Sequence, residues 1–67
     1  MEDVIIDEVV VTDSPCEIKI QFLERTQYEN TVYVVRFVVG NDQPKETISR
    51  DREYIESIYN NVKDVIL

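Results

Sequence analysis

Two carboxylate pairs are the nearest this chain comes to reactive chemistry. Asp7-Glu8 are adjacent, and Glu53 and Glu56 stand one helical turn apart. Paired carboxylates can divide into an acid and a base when their surroundings push their proton affinities apart. Such work needs a cleft, and a chain of 67 residues rarely encloses one. The chain has no histidine, so no imidazole can act as a general base. With one cysteine as well, Ser-His-Asp and Cys-His sites are excluded, and a structural zinc site is unworkable. Gly40 is the only glycine, so no glycine loop cradles a phosphate. The expectation is a protein that is not an enzyme and holds no cofactor and no metal.

Other groups have bland readings. Cys16 falls on the apolar face of a strand and reads as a small buried hydrophobe. Tyr33, Tyr54 and Tyr59 read as aromatics at the edge of a core. Base stacking on tyrosines would need a basic groove, and the balance here is acidic. Arg50 and Arg52 flank Asp51 and precede Glu53, which makes a self-neutralised helix start.

What stands out is where the acid lies. Residues 1–18 carry Glu2, Asp3, Asp7, Glu8, Asp13 and Glu17 and no Lys or Arg. The remaining eight acids are nearly balanced by all seven bases, so the first eighteen residues supply almost all of the net charge of −7. Such a field repels nucleic acid and anionic membrane and attracts basic surfaces. No apolar run approaches the ~20 residues of a membrane span. The start Met1-Glu2-Asp3 is the reverse of a secretory leader. A soluble, cytoplasmic protein is expected, and a lone thiol suits that compartment.

The elements that must position these acids follow from the apolar set. Eleven Val and eight Ile against two Leu and no Ala favour pleated surfaces. Residues 3–12 read as an edge strand, although acids and apolar groups mix on both its faces. Asp13-Ser14-Pro15 is a turn signal. Residues 16–24 alternate cleanly, with Cys16, Ile18, Ile20 and Phe22 on one face. The polar run Arg25–Asn30 reads as the hairpin loop. Residues 31–39 form the strongest strand, apolar on both faces except for Arg36. Glu46–Ile48 leaves room for a short extended piece. Ser49 can then cap a helix whose apolar stripe runs from Tyr54 and Ile55 through Ile58, Tyr59 and Val62 to Val65 and Ile66. Asn60-Asn61 leaves a second outcome open, in which the helix stops there and 62–67 form a strand.

The fold expected over residues 1–67 is a single α+β domain: a three-stranded antiparallel sheet, β-β-β-α, with the helix on one face. One helix covers one face only. The other face would then expose valines, for which sheet-to-sheet packing in a homodimer is the simplest remedy.

In size, acidity and lack of catalytic groups the chain resembles the small phage-encoded DNA mimics. That group blocks DNA-binding host proteins, among them nucleoid-associated proteins such as HU. The resemblance is one of composition over the whole chain and brings no motif. It implies an acidic inhibitor that binds a basic DNA-binding protein and competes with DNA. Glu2, Asp3, Asp7, Glu8, Asp13 and Glu17 would supply phosphate-like charge, and Glu53, Glu56 and Asp64 would extend it. Neutralising Asp3, Asp7 and Glu8 would then weaken binding without unfolding the chain. The alternative is an interaction module or adaptor that docks through an apolar sheet face or an exposed edge strand.

Overall fold

The computed structural model describes residues 2–12 and 16–66. Five elements follow in order: β1 (Glu2–Val11), β2 (Ile18–Gln27), β3 (Asn30–Val39), β4 (Lys45–Ser49) and α1 (Arg52–Ile66). The strands form one antiparallel sheet in chain order, β1-β2-β3-β4. α1 lies on one face, over β2, β3 and β4. This is the expected α+β meander, and the extended piece at Glu46–Ile48 is the middle of β4. The helix runs through Asn60-Asn61 without a break, so residues 62–66 are helical and not a strand. The turn expected at Asp13–Pro15 lies outside the described residues.

The mixed pattern of β1 has a simple cause. Ile5 pairs with Leu23 and Asp7 with Phe22, which leaves Ile6 as a bulge with no partner of its own. One extra residue reverses which side chains face which way. Ahead of the bulge Asp3 and Ile5 lie on the face away from α1; after it Glu8 and Val10 do. Val4, Asp7, Val9 and Val11 lie on the α1 side. Once the phase change is counted, β1 alternates as a half-covered strand should.

The core forms between α1 and the sheet. Ile20, Phe22 and Val35 meet Ile55 and Tyr59, with Val9, Tyr33, Phe37, Ile58, Val62 and Ile66 around them. The helix residues recur at three- and four-residue steps, which places them on one stripe. Tyr54 and Val65 fall roughly 80–100° round from that stripe at 100° per residue. Both are therefore exposed, so Tyr54 is not a core-edge aromatic. Asp51, not Ser49, caps the helix: its Oδ1 accepts the Tyr54 N–H at 3.3 Å. Ser49 is committed to the sheet as the partner of Tyr33, and its Oγ accepts the Asp51 N–H at 3.1 Å.

Two further expectations are corrected. Cys16 is exposed, because pairing of β2 begins only at Ile18. The run Arg25–Asn30 is not a loop. β2 and β3 pair as far as Gln27 and Asn30, and the turn is Tyr28-Glu29 alone. Polar residues suffice there because no residue from Thr26 to Thr31 is buried. Beyond Thr26, where pairing with β1 ends, the hairpin is a two-stranded arm with no buried residue. Tyr28 and Glu29 both take positive φ, 51° and 65°, as a two-residue turn matched to strand twist requires. Asn and Gly do this with less strain. The pair Tyr28→Asn and Glu29→Gly should therefore raise stability by roughly 1 kcal/mol, read as a higher urea midpoint with an unchanged slope.

Candidate functional site

Charge is arranged differently on the two faces. On the face away from α1, the register sets four residues in a transverse row, Ile5, Leu23, Val34 and Ile48, one from each strand. Leu23 and Val34 are fully buried, although no helix lies over them. Their cover is ionic. Arg25 on β2 reaches Asp3 on β1, with Nε to Oδ1 at 2.8 Å, and Glu46 on β4, with Nη2 to Oε2 at 2.8 Å. Arg36 on β3 donates to the same two carboxylates, at 3.0 Å to Glu46 and 3.1 Å to Asp3. Arg36 also donates to Gln21 Oε1 at 3.2 Å, and Gln21 Nε2 donates to Glu8.

Asp3 and Arg25 lie on one side of the Ile5–Leu23–Val34–Ile48 row, and Arg36 and Glu46 on the other. The bonds between the two groups therefore cross above the apolar row. The alkyl stems and guanidinium planes of the arginines seal it, as long basic side chains do over apolar ground. Thus the side chains of this sheet already cover the centre of the face that lacks a helix. Among the described residues, every buried side-chain nitrogen or oxygen has a partner.

The lattice shifts the acidity of its members. Hydrogen bonds from Arg25 and then Arg36 hold Asp3 below the usual aspartate value, against an opposing effect of burial. Glu46 is held low by the same two arginines. Arg25 is pushed further up by Glu46 and Asp3. Depressed carboxylates stabilise the fold above their ordinary values near 4, and this contribution is lost as pH falls through the depressed ones. The urea midpoint should hold from pH 7 to about 5 and fall steeply below about 4. A Glu46→Gln variant should start lower at neutral pH and show a shallower acid limb. Equal limbs in both proteins would place the acid sensitivity elsewhere.

On the α1 side the link between β1 and the helix is Asp7. It accepts the Tyr59 O–H at 3.0 Å and lies 3.7 Å from Lys63 Nζ. The Tyr59 bond, a backbone N–H of Glu8 and Lys63 lower its pKa. Burial first, and then Asp7, push the Tyr59 phenol up to about 12.

The acids singled out in the sequence thus divide by task. Asp3, Asp7 and Glu8 are tied to other side chains of the chain. Neutralising them together would loosen the fold, so it is not a clean probe of binding. Glu56 makes a long pair with Arg52 at 3.8 Å. Glu2, Glu17, Glu53 and Asp64 are exposed and form no ion pair among the described residues. Asp13 lies outside those residues. Glu53 and Asp64 point away from the sheet, and Glu53 and Glu56 line a shallow depression with Ser57, Asn60 and Asn61. The eight described acids therefore do not make one surface. Glu2, Asp3, Asp7 and Glu8 share the border strand β1; Glu53, Glu56 and Asp64 belong to the helix.

Sequence reasoning missed Arg25, Glu46 and Gln21. The signal available was Arg36, a lone base on an otherwise apolar strand face, which needs acids from neighbouring strands. Among the described residues, no cluster of three or more metal-ligating side chains occurs. No helix among them is long and apolar enough to cross a membrane. Comparison with protein-family models, with curated proteins and with solved structures gives no match.

Proposed function

We propose that this protein is a non-enzymatic acidic inhibitor that occupies the basic surface of a DNA-binding protein and competes with DNA for it. A nucleoid-associated protein such as HU is the kind of target meant, and the cytoplasm is the compartment. The observation that carries this reading is the border made by β1. It is ten residues long, holds Glu2, Asp3, Asp7 and Glu8, and has no base of its own. The bases that reach it engage Asp3, through Arg25 and Arg36, and Asp7, through Lys63, and leave Glu2 and Glu8 without an ion pair among the described residues. A target presenting Lys and Arg to phosphate would meet carboxylates there instead. Such attraction speeds association and weakens with salt.

The test is capture of a purified nucleoid protein on immobilised chain, with and without excess duplex DNA, across a salt series. Displacement by DNA together with a steep loss of affinity between 50 and 200 mM salt, on the order of tenfold or more, is expected. The informative variant neutralises exposed acids outside the lattice, Glu2→Gln, Glu17→Gln and Asp64→Asn together. It should keep the wild-type urea midpoint and bind more weakly. Salt-independent binding that DNA does not displace would overturn the reading.

A further inference from the structure

Among the described residues, β1 pairs with β2 on one side and with nothing on the other. Alternate residues of such a border strand aim their N–H and C=O groups outward, ready for another strand. The first half of β1 is also exposed on both faces, apart from the bonds of Asp3 to Arg25 and Arg36. Every residue from Glu2 to Glu8 is exposed, and α1 lies over the other three strands. Val4 on the α1 side is 54% exposed, and Ile5 on the opposite side is 50% exposed.

We propose that residues 2–5 are a docking edge on which a short, basic, extended segment of a partner protein adds as a fifth strand. The proposal rests on the reading of a basic protein partner and supplies its mode of attachment.

Three observations select the occupant. A second copy of this border is disfavoured, because it brings four acids and no strand base up to the same four, with Glu2 facing Glu8 and Asp3 facing Asp7 when the pair is centred on residues 2–8. Like charges directly opposite one another destabilise a strand pair. The bulge at Ile6 interrupts the regular ladder, so a newcomer finds a short run before it. Within that run the side chains come in two adjacent pairs, acidic at Glu2-Asp3 and β-branched at Val4-Ile5. A complementary segment therefore places two adjacent bases opposite the acids and two adjacent β-branched residues opposite the valine and isoleucine. Glu2 is the stronger counter-charge, since Asp3 is shared between Arg25 and Arg36. The other border is a poorer template: β4 has five residues, and Lys45 and Glu46 stand side by side on it.

The probe is the capped hexapeptide acetyl-Thr-Val-Ile-Lys-Lys-Thr-amide, titrated into isotope-labelled protein and followed by amide shifts. The expected result is saturation below about 1 mM, with the largest shifts at residues 2–5. The same peptide N-methylated at alternate residues keeps every charge but cannot complete a ladder. It should bind at least about tenfold more weakly. Glu2→Lys should weaken the basic peptide and strengthen one with Glu in place of both lysines. Equal binding of the methylated peptide would show attraction without strand addition and overturn the proposal. So would shifts centred on α1, or no saturation by about 1 mM.

The two readings fail separately. If DNA displaces a captured nucleoid protein but the peptide leaves residues 2–5 unmoved, the basic-partner reading stands and the docking edge falls. If the peptide docks on β1 but DNA displaces no captured protein, the edge stands without DNA competition.

Discussion

Replacing Arg25 with alanine is expected to lower the unfolding free energy by about 2–3 kcal/mol. For a chain of this size the whole stability is roughly 3–10 kcal/mol, so a large share would go. Three losses combine. Arg25 is buried and holds both Asp3 and Glu46 through paired nitrogens. Without it, two carboxylates held close together depend on Arg36 alone. The stem that helps seal Leu23 and Val34 also goes, so water reaches two side chains it does not reach now. The carboxylates are partly exposed, which keeps the figure below that of a fully buried pair. Arg25→Met separates the parts. It keeps an apolar stem and loses the charge, and should cost about half as much. Urea titration with intrinsic fluorescence reads both. If alanine and methionine cost the same, the stem seals nothing.

Tyr59→Ala is the second large effect, at about 3–5 kcal/mol. Tyr59 is almost completely buried and is the largest fully buried side chain. Its ring lies 5.7 Å from that of Phe22, centroid to centroid, and Lys63 Nζ lies 5.9 Å from its own centroid. Removing it opens a ring-sized cavity between α1 and the sheet. Tyr59→Phe keeps the packing and deletes only the bond to Asp7, for about 1 kcal/mol. The phenylalanine variant should also release β1. Hydrogen exchange of the β1 amides near Asp7 should speed up while β2 and β3 stay protected. Uniform acceleration across all strands would mean that the bond supports the whole fold and not its border.

The architecture was legible because apolar periodicity reports burial. Residues 31–39 are apolar on both faces because β3 lies between β2 and β4, with α1 on one face and the arginine lattice on the other. The helix was legible in the stripe from Ile55 to Ile66. Two things escaped. The arm of the β2–β3 hairpin is polar because nothing packs on it, so a rule that equates polarity with loop ends the strand too early. The lattice depends on register, which brings together residues 22 and 33 positions apart in the chain, Asp3 with Arg25 and with Arg36. No local pattern carries that information. The bulge at Ile6 hid it further by shifting the phase of β1, so that Asp3 and Glu8, odd and even, share a face. Reading the acids as a single anionic block therefore merged side chains that brace the sheet with others that face solvent.

The strand order also has a consequence in time. Each strand pairs with the one before it, and the β2–β3 turn has only two residues. Loop closure of this kind costs little entropy, and local pairing makes a meander quick to assemble for a sheet protein. The tie between Tyr59 and Asp7 is of another kind, since 52 positions separate the two residues. It can form only after Tyr59 of α1 has been made. During synthesis the hairpin of β2 and β3 can close while α1 is still being added. Glu46, the last member of the lattice, arrives before the helix that completes the core. The acidic border is thus made before the helix whose Tyr59 ties it down, and it gains that tie last.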